Sequence, residues 1–237
     1  MLRTLVQRLL TLRCVVCEQI SALRSDILPT PICPDCESDF FSADTRRCER
    51  CAISMSTASL ARTCGRCVAN PPHFDATIAL ADYVSPVDGM VVALKFTARL
   101  DLANFFGRLL AQRASAQPLR MPSNLIIPVP LAFERLQQRG FNQSHQIARV
   151  FAAATGARLA VDRLIRVRHT PPQQSLKLAE RHRNVRNAFA VEGSLTGNTI
   201  YVIDDVMTSG STLDEIARVL KLAGAARVVN LVVARTP

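Results

Sequence analysis

The sequence predicts an α/β fold, a parallel β-sheet flanked by helices, carried behind a small N-terminal Cys-rich domain. Three observations predict it. All eight cysteines (Cys14, Cys17, Cys33, Cys36, Cys48, Cys51, Cys64, Cys67) fall within the first 67 of 237 residues. From Pro71-Pro72 onward, apolar runs of strand length alternate with segments of helical periodicity. The runs are nearly continuous in apolar residues, which is the pattern of strands covered on both faces. The compositional break divides the chain into 1–70 and 71–237, and the second part has enough Val, Ile, Leu and Ala to bury a core of ordinary size.

At the N-terminus, Leu2, Leu5, Val6, Leu9 and Leu10 recur at helical spacing, interrupted by Arg3 and Arg8 and followed by no small-residue cleavage site. This reads as a short packing helix rather than a signal peptide. Next come four Cys-x-x-Cys pairs, at 14/17, 33/36, 48/51 and 64/67. A tight turn between two such cysteines points both thiolates at one tetrahedral ion, and two pairs complete a Cys₄ site suited to Zn²⁺. Sequential pairing gives one site from Cys14, Cys17, Cys33 and Cys36 and a second from Cys48, Cys51, Cys64 and Cys67. Spacing alone leaves interleaved pairing open, and disulfides or an iron–sulfur cluster remain the rival readings of the thiols. A closed Cys₄ shell has no open coordination position, so these zinc ions, expected to number two, are structural.

In the larger part, Ala76–Ala81 reads as a strand, Val87–Lys95 as a helix and Leu102–Ala114 as a second helix. Leu125-Ile126-Ile127 is a short buried strand stopped by Pro128-Val129-Pro130. Helices are expected over Phe133–Gln138 and Gln143–Ala154, with Gly140-Phe141-Asn142 between them and Thr155-Gly156 ending the second. Arg166–Arg186 is polar and basic and contains Pro171-Pro172, so it reads equally as a functional loop or a solvated linker. Thr199–Ile203 is a strand, Thr212–Ala223 a helix closed by Gly224, and Val228–Val233 a buried strand.

The net charge is +10 and the pI is near 9.8, which favours anionic partners such as phosphates, nucleic acid or anionic lipid. Aromatic residues are only 5% of the chain and Trp is absent, so no stacking platform for single-stranded bases is evident. No apolar run approaches the ~20 residues that span a bilayer.

The chemistry concentrates in Val202-Ile203-Asp204-Asp205-Val206-Met207-Thr208-Ser209-Gly210-Ser211-Thr212. An apolar strand delivers Asp204 and Asp205 to the carboxyl edge of the sheet, and Thr208–Thr212 runs straight into a helix. A phosphate placed there meets backbone N–H groups, hydroxyls and the positive end of the helix dipole, and Gly210 permits close backbone approach. Two carboxylates beside a phosphate nest would repel the ligand unless they meet donors. Vicinal ribose hydroxyls are such donors, so the segment matches one ribose 5-phosphate. A plain Ser/Thr cap after an acidic strand end is the simpler reading of single residues, but not of eleven consecutive ones.

The segment resembles the signature of type I phosphoribosyltransferases. Further stretches narrow the resemblance to the ComF family, proteins similar to amidophosphoribosyltransferases and associated with natural competence: Leu94-Lys95-Phe96, Pro128-Val129-Pro130-Leu131, Arg135-Leu136, Arg139-Gly140-Phe141-Asn142-Gln143-Ser144, Gln174–Leu176, Arg181, Asn184-Val185 and Ala188-Phe189. With the cysteine head, the likeness runs from Cys14 to Val233. It implies a type I phosphoribosyltransferase-like fold in which Asp204 and Asp205 take the ribose hydroxyls and act catalytically. Thr208, Ser209, Gly210, Ser211 and Thr212 then form the 5′-phosphate site, with Val206 and Met207 also counted as ligand-binding, while Pro128 and Val129 border pyrophosphate with Arg139 as a counter-charge. Mg²⁺ would be held mainly by pyrophosphate and ribose oxygens, and Arg168–Arg186 would close over the site to exclude water. Lys95 is read as a snorkelling helix residue before a ligand contact.

The expected ligand is phosphoribosyl pyrophosphate or a related phosphoribosyl compound, with the activity of a Mg-dependent phosphoribosyltransferase of unknown acceptor serving DNA uptake. The knuckle cysteines leave none for a glutaminase nucleophile. The alternative is a non-catalytic factor that handles single-stranded DNA and uses the phosphoribosyl site for binding or regulation, because a fold and a motif do not establish turnover. A ligand-sensing regulator is a third reading, weakened by the lack of a helix-turn-helix pattern. Expected partners are single-stranded DNA and other competence proteins, and the expected location is the cytoplasm, with contact to the inner membrane made through partners.

Overall fold

The computed structural model describes residues 13–20, 30–116, 124–168 and 185–237. The helix expected at Met1–Leu12 and most of the basic loop expected at Arg166–Arg186 lie outside the described residues. In chain order the strands are β1 (Ala76–Asp82), β2 (Asn124–Pro128), β3 (Arg158–Leu159), β4 (Leu164–Arg166), β5 (Phe189–Val191), β6 (Thr199–Met207) and β7 (Arg227–Arg235). Five of them form a parallel sheet in the order β1-β7-β6-β2-β3. β4 and β5 pair antiparallel as a separate ribbon.

Because successive side chains of a strand point to opposite faces, the apolar runs supply two cores at once. Tyr201, Ile203, Val229, Leu231 and Val233 enter the first, and Ile200, Val202, Val228 and Val232 the second. The first face is covered by α3 (Val87–Phe96), α4 (Leu100–Ser115) and α6 (Gln143–Thr155), which bury Leu94, Phe106, Leu110, Ile147 and Phe151. Each large side chain so buried contributes roughly 1.5–3 kcal/mol. Gly107 allows α4 to lie close on α6, where a Cβ would meet the Val150 side chain at 2.7 Å. The second face is covered by α7 (Ser211–Leu222), through Leu213, Ile216, Ala217 and Leu220, and by the β4–β5 ribbon. A short helix, α5 (Phe133–Arg139), ends at Gly140 with φ +79° and leads into α6.

The cysteine region is built twice on one plan. In each copy a knuckle (Cys14–Cys17, Cys48–Cys51) is closed by an isolated antiparallel bridge, Arg13 to Ile20 and Arg47 to Ser54. The residue after each knuckle is left-handed, Glu18 at φ 60° and Ala52 at φ 56°. The second pair then opens a short helix, with Cys33 capping α1 (Pro34–Phe40) and Cys64 capping α2 (Gly65–Ala69). The first copy packs into the first core through Ile32 and Phe41, whose ring meets Phe105 edge-on at 5.3 Å. The second packs into the other core through Ala52, Cys48 and Cys51.

Three differences from the sequence reading have physical causes. β3, β4 and β5 are two or three residues long, too short to show a period. β6 does not stop at Ile203 but continues to Met207, because β7 runs alongside it and keeps the ladder going from Asp204 opposite Val232 to Met207 opposite Arg235. The acidic pair therefore lies within the strand. The helix after the segment 208–210 begins at Ser211, one residue earlier than expected, with left-handed Gly210 at its N-cap.

Candidate ligand-binding site and metal centres

β2 ends at Pro128, opposite Ile203, while β6 goes on for four more residues. Past that point one edge of β6 has no neighbouring strand, and its N–H groups turn to side chains. Asp204 Oδ1 accepts from the Asp205 N–H at 2.9 Å, and Asp205 Oδ1 accepts from the Val206 N–H at 2.7 Å. Val129 closes the corner: its N–H donates to the Ile203 carbonyl at 2.9 Å, and its carbonyl accepts from Asn142 Nδ2 at 3.0 Å.

Both carboxylates are held from the first face of the sheet. Ser144 Oγ, at the start of α6, donates to Asp204 Oδ1 at 3.0 Å. Lys95 Nζ, from the last turn of α3, lies 2.7 Å from Asp205 Oδ2. The reading of Lys95 as a snorkelling residue is thus corrected, since its ammonium turns inward to a carboxylate that is only 4% exposed. Burial, followed by the neighbouring Asp205 charge, pushes Asp204 up to about 7 against the opposing pull of Lys95 and Ser144. Near neutral pH Asp204 therefore readily binds a proton, and a ligand offering it hydroxyl donors would favour its ionised form.

On the other side of the acids, Thr208–Gly210 leads into α7. Asp204, Val206, Met207, Thr208, Gly210, Ser211, Thr212 and Leu213 line a cleft of about 50 Å³. The N-cap of α7, Gly210 at φ +85°, has no side chain to cap the helix, and the Ser211 N–H donates to Ser209 Oγ at 3.3 Å. Ser209 Oγ and Ser211 Oγ lie 2.8 Å apart. A helix N-terminus with hydroxyls around it suits a phosphate, and the adjacent carboxylates suit a diol one sugar length away. Arg139 lies on the acidic side of this arrangement. Its Cζ sits 5.2 Å from the Phe96 ring centroid and its Nη1 donates to Gln143 Oε1 at 2.5 Å. Burial lowers its pKa while the charge of Asp205 raises it. Asp204 through Thr212, Pro128, Val129 and Arg139 are thus gathered around the carboxyl ends of β2 and β6.

Sequence reasoning quoted Ser144 and Asn142 without a role. Ser144 is buried, and it opens a helix capped by Asn142, whose Oδ1 accepts from the Ser144 and His145 N–H groups. The signal available was that Asn-x-Ser cap placed shortly after the proline-terminated strand.

The eight cysteines resolve into two quartets, Cys14/Cys17/Cys33/Cys36 and Cys48/Cys51/Cys64/Cys67, each with all four sulfurs within 4.8 Å of one another. Cys17 to Cys33 and Cys51 to Cys64 are separated by 3.7 Å. That is the edge of a tetrahedron with Zn–S bonds of ~2.3 Å, and far from the ~2.05 Å of a disulfide. Backbone N–H groups support the sulfurs, Cys64 to Cys48 Sγ at 3.2 Å and Cys36 to Cys33 Sγ at 3.5 Å. Burial raises the Cys64 thiol, yet hydrogen bonds from the Cys67 N–H and nearby sulfurs outweigh it and leave it at about 7. Burial and neighbouring sulfurs push Cys67 well up. Four crowded thiols cannot all ionise without a cation, and a divalent ion removes that conflict. Both quartets therefore fit one structural zinc ion each. They select the sequential pairing from the arrangements that spacing left open.

The chain is similar to several known proteins. The phosphoribosyl transferase domain family matches residues 136–237. The chain is 36% identical over 193 residues to the DNA utilization protein YhgH of Salmonella typhimurium, covering 80% of this chain and 84% of that one. It is 26% identical over 219 residues to Competence protein F of Haemophilus influenzae, covering 90% and 92%. Among solved structures, the glutamine phosphoribosylpyrophosphate amidotransferase of B. subtilis aligns with 21% identity and a TM-score of 0.40, over 59% of this chain and 30% of that one. No helix among the described residues is long and apolar enough to cross a membrane.

Proposed function

The chain belongs to the ComF family, with a type I phosphoribosyltransferase-like sheet and an N-terminal cysteine-rich zinc-binding region. From that premise we propose that it binds phosphoribosyl pyrophosphate or a related phosphoribosyl ligand and acts in the uptake or use of DNA. The observation that carries the reading is that Asp204 shares one cleft with Thr208, Gly210, Ser211 and Thr212 at the start of α7, with Asp205 next to it in the chain. Asp204 and Asp205 take the 2′- and 3′-hydroxyls, the loop takes the 5′-phosphate, and Pro128, Val129 and Arg139 border the pyrophosphate side. Ser144 and Lys95 already engage the two carboxylates, so Mg²⁺ would be held mainly by the ligand's own oxygens. When bound, that ion neutralises charge on the leaving pyrophosphate. This chain's own part is to fix the sugar against the acids and the phosphate against the helix.

The test is calorimetry of the full chain with phosphoribosyl pyrophosphate and Mg²⁺, followed by a pyrophosphate-release assay across nitrogen acceptors. Binding with release establishes a transferase. Binding without release, together with single-stranded DNA binding that weakens steeply as salt rises, establishes the DNA-handling alternative, which the +10 charge favours. No binding at millimolar ligand refutes both. In a transformable host, normal DNA uptake by an Asp204→Ala, Asp205→Ala double variant would separate the cradle from competence.

A further inference from the structure

Arg235, at the last position of β7, is 2% exposed although it is a guanidinium. Its side chain is spent between two places far apart in sequence. Nε donates to the Cys51 carbonyl at 2.9 Å. Nη1 reaches the carbonyls of Met207, the last residue of β6, at 3.2 Å and of Thr208, the first residue of the loop, at 2.5 Å, and also the adjoining Thr236 carbonyl at 2.5 Å. Two neighbouring links run the same way. Arg66, between Cys64 and Cys67, donates from Nη2 to the Ser209 carbonyl at 3.3 Å. The His73 N–H, just past α2, donates to Asp214 Oδ1 in the first turn of α7 at 2.6 Å. The phosphate loop is thus tied to the Cys48/Cys51/Cys64/Cys67 quartet. None of these links reaches the first quartet, whose partners lie in the other core.

We propose that Arg235 is a positioning residue linking the second cysteine centre to the loop 207–212, so that metal loss from that centre loosens the phosphate cradle and a bound sugar phosphate slows that loss. The cause is geometric. The Cys51 carbonyl belongs to the knuckle turn, and the turn keeps its shape because Cys48 and Cys51 bind one ion. Without the ion, the buried guanidinium loses a fixed acceptor at one end and the loop loses its anchor at the other, since a buried charged donor must keep its partners. Linkage makes the coupling reciprocal. The second half of the proposal rests on the function proposed above, whereas the first half does not.

Hydrogen exchange of the full chain tests the first half without any ligand. When zinc is withdrawn with a chelator, exchange of the amides of 206–212 should accelerate about tenfold in step with release of one of the two zinc ions. In Arg235→Met, the loop should already exchange at the fast rate with both ions bound. If the buried substitution fails to fold, exposed Arg66→Ala provides the second arm and should show a smaller acceleration of the same kind. Loop exchange that is unchanged after both ions have left, or that is as slow in both variants as in the parent, overturns the proposal. For the second half, ribose 5-phosphate should slow release of one zinc ion about tenfold and leave the other unchanged. Ribose 5-phosphate that binds while both ions leave at their former rates overturns this half. A coupled loop that fails to bind ribose 5-phosphate would refute the proposed function and leave the linkage standing.

Discussion

Asp204→Asn should make the protein more stable and bind its ligand less well. Asp204 holds its proton to about 7 in the folded chain, against ~3.9 for an unfolded Asp. As pH rises, the unfolded state gives up its proton first, so the stability present below about pH 4 is lost as pH climbs through 7. Three pKa units at ~1.36 kcal/mol each set a ceiling of about 4 kcal/mol. Asp204 faces a cleft and is not sealed from solvent, so about half of that ceiling, ~2 kcal/mol, is the expected gain. Asn keeps an oxygen for Ser144 Oγ and the Asp205 N–H, which Asp204 Oδ1 now serves. Urea unfolding at pH 5 and pH 8 reads the effect. The variant should gain ~2 kcal/mol at pH 8, about 4–8 °C in Tm for a chain of this length, and much less at pH 5. Affinity for ribose 5-phosphate should meanwhile fall at least about tenfold, since a charge-assisted hydrogen bond is lost. A gain that is equal at both pH values, or a loss at pH 8, would refute the reasoning.

The other side chains of the cradle make distinct expectations. Lys95→Met strands the buried Asp205 carboxylate and should cost about 3–5 kcal/mol, and it should move the pH midpoint for ribose 5-phosphate binding upward because Lys95 is what holds the Asp204 pKa down; a midpoint that stays in place would separate Lys95 from the site. Gly210→Ala forces a side chain onto a residue at φ +85° and puts its Cβ 2.6 Å from Met207 Cε, at a cost of about 1–2 kcal/mol. Calorimetry with inorganic phosphate should then show weaker binding while circular dichroism shows an unchanged fold. Metal analysis of the purified chain should find two zinc ions, and their removal by chelator should lower Tm by several degrees through both cores, because Cys33 and Cys36 belong to one and Cys48 and Cys51 to the other.

What the sequence revealed depended on whether the signal was local. Helices α3, α4 and α6 were legible because their apolar residues repeat with the helical period over ten or more positions, and the bounds observed differ from those expected by two residues at most. The segment 202–212 was legible because strand, acids, hydroxyls and glycine follow one another without a break. β3, β4 and β5 were not, since two or three residues carry no period. The end of β6 was misread because a run of acids looks like an edge, whereas the strand is prolonged by its neighbour, Met207 pairing with Arg235. Lys95, Ser144 and Arg235 were illegible as partners for a related reason. Each acts across more than 25 residues of chain, on Asp205, Asp204 and the Met207–Thr208 carbonyls in turn, and no spacing rule reaches that far.

The strand order explains why the cradle forms where it does. In β1-β7-β6-β2-β3, the chain leaving β6 crosses to β7 through α7 on the second face, while the chain leaving β2 crosses to β3 through α6 on the first. The two crossovers diverge, opening a crevice at the carboxyl ends of β6 and β2, the position where open parallel sheets collect ligands. Each wall of that crevice then comes from a different core. Ser144 and Lys95 hold the acids from the first face, and the start of α7 holds the phosphate loop from the second. A ligand touching both acids and loop must therefore read the packing of both faces. Each face carries one cysteine quartet, yet among the described residues Arg235 and Arg66 link the second one to the loop. The duplicated head is thus symmetric in its construction and asymmetric in its contacts: the first quartet meets the acids through the shared core, and the second is hydrogen-bonded to the segment 207–209.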